Sequence, residues 1–257
     1  MFGVEAESVS VVVPTYNERE RLEPLVAGVF DALGARGLRG EMVVVDDSSP
    51  DGTGALAEAL AERFPLRVVH RPGKLGLGGA VMAGFEAATG GLLAVMDGDL
   101  SHPPAVVPDL VAAVRVLGVD MAVGSRYIPG GAWRNWPRRR LLMSRAACLM
   151  ARPLTPVRDA MSGLFVVRRE AVEGVRIASA GFKICLELQL RSRVRSVAEV
   201  PYTFVDRRAG RSKMSAGEAF HYLAQLGMLS QLRLAARAPR LQYSRVAPGQ
   251  LEALRRA

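Results

Sequence analysis

Two carboxylates one residue apart, Asp97 and Asp99, close an apolar run in Val95-Met96-Asp97-Gly98-Asp99. Residues 92–96 read as a buried strand. Acids at a strand's carboxyl end are costly to bury unpaired, so a cation or a water-filled cleft is expected beside them. In open α/β sheets that edge is also where ligands bind. The chemistry suggested is a divalent metal holding a diphosphate, although so short a motif fits a solvated turn equally well. Upstream, Gly73-Lys74-Leu75-Gly76-Leu77-Gly78-Gly79 forms a glycine-rich loop. It is no Walker loop, and Val81 stands where a dinucleotide fingerprint needs its third glycine. A tight turn bringing backbone N–H groups to a ligand is one reading, and a turn without a ligand is the other.

A second group of chemically useful residues is basic. Arg138, Arg139, Arg140, Arg145 and Arg152 flank an apolar helix predicted over residues 141–151, with Trp133 and Trp136 just before it. This arrangement suits a lipid phosphate at a membrane interface, the arginines gripping the headgroup and the tryptophans anchoring in the interface. A single-stranded nucleic acid would call for more stacking aromatics than this chain offers.

The charge distribution agrees with two differently charged parts. Residues 1–110 carry 8 Lys and Arg against 16 Asp and Glu, whereas residues 111–257 carry 26 against 9. The acidic part suits a metal, and the basic part suits a polyanion such as a phosphorylated substrate, an anionic membrane or a nucleic acid. A merely solvated basic face is the plain alternative. Cys148 and Cys185 lie among apolar residues and read as buried thiols, with neither a disulfide framework nor a zinc pattern, which points to a reducing compartment. His70, His102 and His221 are scattered and form no ligand pattern. The N-terminus lacks the features of a secretory signal, and no stretch reaches the ~20 apolar residues that span a bilayer. A soluble or peripheral chain is expected.

The elements that must position these groups alternate in type. Strands are predicted at residues 9–13, 42–45, 66–69, 92–96 and 121–123. Between them fall helices, the first with Leu22, Leu25, Val26, Val29, Phe30 and Leu33 on one face. Such a rhythm implies a mostly parallel sheet with helices on both faces. Further on, residues 130–140 read as a loop, 164–167 as a strand, 182–191 as a helix, 197–205 as extended and 215–237 as a helical extension. Residues 1–237 are therefore expected to form one catalytic domain with that C-terminal extension, and 238–257 a basic, mobile tail.

Taken together, eight segments resemble glycosyltransferase family 2 with the GT-A fold, and within it the dolichyl- or polyprenyl-phosphate mannose synthases. They are Val13-Pro14-Thr15-Tyr16-Asn17-Glu18, Val45-Asp46-Asp47-Ser48-Ser49-Pro50-Asp51-Gly52-Thr53, Gly73-Lys74-Leu75-Gly76-Leu77-Gly78, and Met96-Asp97-Gly98-Asp99-Leu100-Ser101-His102-Pro103-Pro104. Then follow Gly124-Ser125-Arg126-Tyr127, Ser162-Gly163-Leu164-Phe165, Gly181-Phe182-Lys183 and Ser212-Lys213-Met214-Ser215. They occur in the family's order across roughly residues 9–230.

The resemblance implies roles. Pro14, Tyr16 and Glu18 would line the nucleotide pocket, with Val45 and Asp47 at the base. Asp97 and Gly98 would touch the ribose and diphosphate region. Asp99 would bind Mg²⁺ or Mn²⁺, helped by the side chain of Ser101 as a second metal-site residue. Arg126, Arg207 and Lys213 would meet the sugar nucleotide or its diphosphate. Asp159 would orient sugar or acceptor, unless it simply pairs with an arginine. Arg138, Arg139, Arg140, Ser144 and Arg145 would receive the acceptor phosphate. The implied reaction moves mannose from GDP-mannose to a polyprenyl monophosphate with inversion, on the cytoplasmic face of a membrane that the enzyme touches peripherally. A separate membrane-tethering protein stays open as a partner, since some relatives carry C-terminal spans. Nucleic acid is not expected as one. UDP-glucose as donor is the nearest alternative, and a non-catalytic basic protein binding nucleic acid or anionic lipid is the distant one.

Overall fold

The computed structural model describes residues 5–177, 183–206, 216–235 and 241–256. In chain order the elements are β1 (Glu5–Thr15), α1 (Arg19–Gly34), β2 (Gly40–Asp46), α2 (Thr53–Ala61), β3 (Leu66–His70), α3 (Leu77–Ala87) and β4 (Gly90–Val95). Then come α4 (Val106–Leu117), β5 (Met121–Ser125), β6 (Ala132–Arg134), α5 (Arg138–Ala151), β7 (Phe165–Arg168) and α6 (Arg169–Val172). The last are α7 (Ile184–Arg191), β8 (Ser196–Pro201), β9 (Thr203–Val205), α8 (Ala216–Ala235), β10 (Gln242–Arg245) and α9 (Pro248–Arg256).

Eight strands form one sheet in the order β10-β8-β5-β7-β4-β1-β2-β3. All neighbours run parallel except β7, which is antiparallel to both β4 and β5. Side chains along each strand alternate between two cores. Val11, Val13, Met42, Val44, Leu92 and Ala94 face one, and Val12, Val43, Val45, Leu93 and Val95 the other. Burial on both faces is why these strands read as unbroken apolar runs. Each such side chain contributes about 1.5–3 kcal/mol relative to exposure. The predicted face of α1 is the buried one, through Leu22, Leu25, Val26, Val29 and Leu33. Helix α3 presses onto β1 at Gly84, where an added Cβ would lie 2.3 Å from Val12 Cγ1, so only glycine allows that approach.

The topology decides where a ligand can sit. Strand β1 pairs with β2 on one side and β4 on the other, so the order in which successive strands are added reverses at β1. The crevice at the carboxyl ends of these strands is the favoured binding place in such sheets. It gathers residues 14–18, 46–53 and 97–102.

Two expectations from the sequence are corrected. Residues 130–140 are not simply a loop. Residues Ala132–Arg134 pair with β9 in a small second sheet, and Arg138 already begins α5. Nor is the end of the chain a mobile tail, because β10 extends the main sheet beside β8. Its Tyr243 hydroxyl donates to buried Glu199 (2.5 Å). Helix α9 is held to α4 by Arg255 on Asp109 (2.9 Å), and Arg36 donates to the Leu254 carbonyl (2.8 Å). Its basic composition concealed a strand that completes an open sheet edge. No helix among the described residues is long and apolar enough to cross a membrane.

Candidate functional site

The segment after β1 is stapled to the loop after β2. The Glu18 amide donates to Thr53 Oγ1 (3.0 Å), the Asn17 amide to Ser49 Oγ (3.0 Å) and the Arg19 amide to Asp51 (3.2 Å). Asp46 is structural: buried, it accepts from the Ser49 amide and hydroxyl and from the Thr15 hydroxyl. Its neighbour Asp47 faces Arg71 (Nη1 2.8 Å from Oδ1). Burial pushes the Asp47 carboxyl up, with the Arg71 charge opposing. Tyr16 is exposed, with Lys74 of the glycine-rich loop over its ring, 4.6 Å from the centroid. Glu18 holds Arg21 (3.1 Å). Val45 is wholly buried in the core, and its carbonyl accepts the Thr15 hydroxyl (3.3 Å).

The Asp97-Gly98-Asp99 turn lies against Pro14 and Thr15, which a Cβ on Gly98 would crowd at 3.3–3.4 Å. Leu100 has φ +61, a conformation that costs a bulky residue about 1–3 kcal/mol and clusters at functional sites. That turn lets both the amide (3.0 Å) and the hydroxyl (2.5 Å) of Ser101 donate to Asp99 Oδ1. Ser101 thus sets the orientation of Asp99. The Asp97 carboxylate is about 42% exposed and borders the cleft.

His102 was not singled out by sequence and proves central. It is buried beneath the two acids. Its Nδ1 accepts the Asp97 amide (3.1 Å). Burial lowers its pKa, partly offset by Asp97 and Asp99. The adjacency of a histidine to the two acids was the one available signal.

Across the cleft, Arg126 leaves the end of β5 and forms a fork with Asp159: Nε to Oδ2 is 2.7 Å and Nη2 to Oδ1 is 2.6 Å. The Arg126 amide donates to the same carboxylate (2.9 Å). Both residues are buried. Burial lowers the Arg126 pKa, but the Asp159 charge and hydrogen bonds outweigh it and raise it overall. Asp159 therefore holds Arg126, and reaches a substrate only through it. Glu199, also buried, accepts the amides of Arg158 and Asp159 (both 2.9 Å) and positions that carboxylate. The Arg126 guanidinium lies near Tyr127, Trp136 and Phe204, 5.0–5.5 Å from their centroids. Lys183 approaches the same cluster, its pKa lowered by burial and by Arg126.

Of the expected acceptor residues, Arg140 is tied to Asp206 (2.6 Å) and lies over Trp136. Arg145 packs on Trp133 and Tyr127, and Ser144 accepts the Tyr127 hydroxyl (2.7 Å). Arg138 and Arg139 are exposed on the first turn of α5. Beside the later turns of α5 opens a cavity of about 490 Å³ lined by Arg126, Tyr127, Trp133, Arg145, Leu149 and Arg158. Trp136 Nε1 is buried and has no acceptor among the described residues. Exposed Leu142, Leu149 and Met150 share α5 with the arginines. Arg207 and Lys213 lie outside the described residues, as do Gly181, Phe182, Ser212, Met214 and Ser215.

Among the described residues no three His, Cys, Asp or Glu side chains cluster as a metal cage. Asp97 and Asp99 are hard oxygen donors at the rim of a cleft. That donor set fits a cation such as Mg²⁺, which takes one or two carboxylates and completes its shell with substrate phosphate oxygens and water.

The model of the family described as Glycosyl transferase family 2 matches residues 10–176. Dolichol-phosphate mannosyltransferase of Pyrococcus furiosus is 44% identical over 222 residues, covering 85% of this chain and 62% of that protein. The chain thus spans less than two thirds of that relative's length. Polyprenol monophosphomannose synthase of Mycolicibacterium smegmatis is 42% identical, covering 86% of this chain and 88% of that one. Among solved structures, glucosyl-3-phosphoglycerate synthase from Mycobacterium tuberculosis in complex with phosphoglyceric acid superposes with TM-score 0.61 at 26% identity, over 91% of this chain and 81% of that chain. Its complex with Mn²⁺, uridine-diphosphate and phosphoglyceric acid gives 0.63 at 25%, over 86% and 79%.

Proposed function

The chain belongs to glycosyl transferase family 2, with a GT-A-like α/β fold, and from that premise we propose that it transfers mannose from GDP-mannose to a polyprenyl monophosphate with inversion. The observation that carries this reading is a cleft acidic on one wall and basic on the other. Asp97 and Asp99 follow the end of β4, and Arg126, Arg145 and Arg158 line the cavity beside α5, with Trp136 against Arg126. The names of the relatives, mannosyltransferases of dolichol phosphate and polyprenol phosphate, support the same acceptor class.

The donor lies across the carboxyl ends of β1, β2 and β4. Tyr16 offers an open ring face, Asp47 an acceptor toward the base, and Pro14 and Glu18 complete the wall. Asp99, oriented by Ser101, and Asp97 would hold Mg²⁺ or Mn²⁺ in the donor site. Such a cation supplies positive charge to the departing GDP. Arg126 adds a fixed cation that needs no reorganisation during reaction. Arg207 and Lys213 belong to the same proposal by family likeness alone.

The nucleophile is an oxygen of the acceptor phosphate. With a second pKa near ~6 it is largely ionised at neutral pH, so the protein's task is placement rather than proton removal. The new bond forms from that oxygen to the anomeric carbon as the bond to the diphosphate breaks, and the electron pair leaves on GDP. Arg138, Arg139, Arg140, Ser144 and Arg145 receive the phosphate. The Trp136 N–H is a further donor in their midst. Leu142, Leu149 and Met150, exposed on α5, support a peripheral contact with the lipid interface, and the proposal takes the cytoplasmic face as the side of the membrane.

Purified protein offered GDP-mannose or UDP-glucose with a polyprenyl phosphate tests this reading. Product is expected with GDP-mannose, lost with a chelator and restored by Mg²⁺ or Mn²⁺. Turnover of UDP-glucose alone would replace the donor, and equal turnover with chelator present would remove the metal. Replacing exposed Arg138 and Arg139 by alanine should raise the KM for polyprenyl phosphate in anionic vesicles about tenfold or more, at about 1 kcal/mol per arginine. The KM for GDP-mannose should hardly move. An equal rise in both would place the acceptor elsewhere.

A further inference from the structure

His102 has a geometry that packing alone does not require. A nitrogen that accepts the Asp97 amide carries no proton, so the neutral ring bears its hydrogen on Nε2. That atom faces the carboxylate of the same residue, 3.7 Å from Oδ2. The ring plane is fixed from below by edge contacts with Tyr202 (5.8 Å) and Phe204 (5.5 Å). Across from it, Gly163 leaves room for the carboxylate: an added Cβ would stand 3.1 Å from Asp97 Oδ1 and 3.3 Å from His102 Cε1.

The bracing residues serve the other wall of the cleft as well. Phe204 packs against Trp136 (5.3 Å) and under the guanidinium groups of Arg126 and Arg140. One residue on, the Val205 amide donates to the Ser101 carbonyl (3.2 Å). Strand β9 thus touches the acid-bearing turn and the arginine cluster at once.

We infer that His102 is a positioning residue of the donor site: Nδ1 fixes the backbone of Asp97, Nε2–H faces its carboxylate, and the ring transmits the placement of β9 to the acids. This rests on the reading that Asp97 and Asp99 face the donor diphosphate. Partners of this kind behind ligating groups are worth about 10–100-fold in metal affinity or activity when removed.

The test compares His102→Asn, His102→Gln and His102→Phe in the full chain. Asparagine can place an oxygen near the position of Nδ1. Glutamine places its amide nearer that of Nε2, and phenylalanine keeps the ring without either nitrogen. Asn and Gln share the loss of aromatic packing, so their contrast survives a common loss of stability. Mn²⁺ binding in the presence of GDP is read by electron paramagnetic resonance, and KM and kcat are read for each substrate.

Wild type is expected to bind Mn²⁺ with GDP. His102→Phe should weaken that binding about 10–100-fold and lower kcat/KM for GDP-mannose in step, with the KM for polyprenyl phosphate unchanged. His102→Asn should recover most of the loss and His102→Gln should not. Equal behaviour of Asn and Gln, or full Mn²⁺ binding by His102→Phe, would overturn the inference while leaving the donor site standing. Failure of wild type itself to bind Mn²⁺ with GDP would sink the donor-site reading, and this inference with it.

Discussion

Asp99→Ala is expected to lower mannosyl transfer by about 10³-fold, the upper scale on which one preorganised electrostatic contact acts, with little change in melting temperature. The carboxylate stands at the rim of the cleft and accepts from Ser101, whose amide and hydroxyl can turn to water once the side chain is gone. Few core contacts are lost, because β4 ends at Val95 and the turn follows it. Raising Mn²⁺ should not restore the rate if Asp99 is itself the ligand, whereas Asp99→Glu should recover part of it at higher metal. The measurement is the initial rate against metal concentration, with melting followed in parallel. Wild-type rate in Asp99→Ala would refute the metal assignment. A collapse of melting temperature would make the residue structural.

The second large effect lies in stability. Asp159→Ala should cost about 3–5 kcal/mol, because it strands the Arg126 guanidinium in a buried site without its counter-charge. In a chain of this length that is a fall in melting temperature on the order of 10 °C. The carboxylate also accepts the Arg126 amide, so a backbone donor is orphaned too. Arg126→Met combined with Asp159→Leu should recover much of the stability, since apolar replacement of a buried pair is often neutral or favourable. Transfer activity should stay lost, because the cation proposed to face the diphosphate is gone. Arg126→Lys should keep the charge but not the two-pronged geometry, and fall between. Thermal melting and initial rates on the four proteins check this. Melting of Asp159→Ala within about 1 kcal/mol of wild type, the range of an exposed pair, would show that the pair is not desolvated.

Much of the acidic half was legible because its signals are local. The unbroken apolar runs of β1, β2 and β4, the helical face of α1 and the turn formers after β2 all lie within short windows. Asp97 and Asp99 announced themselves by standing at the end of an apolar run. The basic half was harder. Its arginines were visible as a cluster, but which of them is engaged was not. Arg126 meets an acid 33 residues away and Arg140 one 66 residues away, and no local pattern selects those partners among so many arginines. For Asp159 the sequence left two readings open, a substrate contact or an arginine pair, and the structure shows the pair with Arg126. Val45 looked like part of a pocket and is core. His102 looked incidental because its neighbours Tyr202, between β8 and β9, and Phe204, in β9, arrive a hundred residues downstream.

What the order of residues determined alone was the alternation of strands and helices, the acidic turn at a strand end and the basic, apolar character of α5. These follow from periodicity and turn chemistry, which act over a few residues. The tertiary structure decided the rest. It chose which charges cancel and which face the cleft. It docked β10 and α9 where composition suggested a loose tail, and it set His102 between the two walls. The physical reason is that pairing of buried charges and closure of a sheet edge depend on what the fold brings within a few ångströms, and only the packed sheet, with β7 and β8 in register beside β5, specifies those distances.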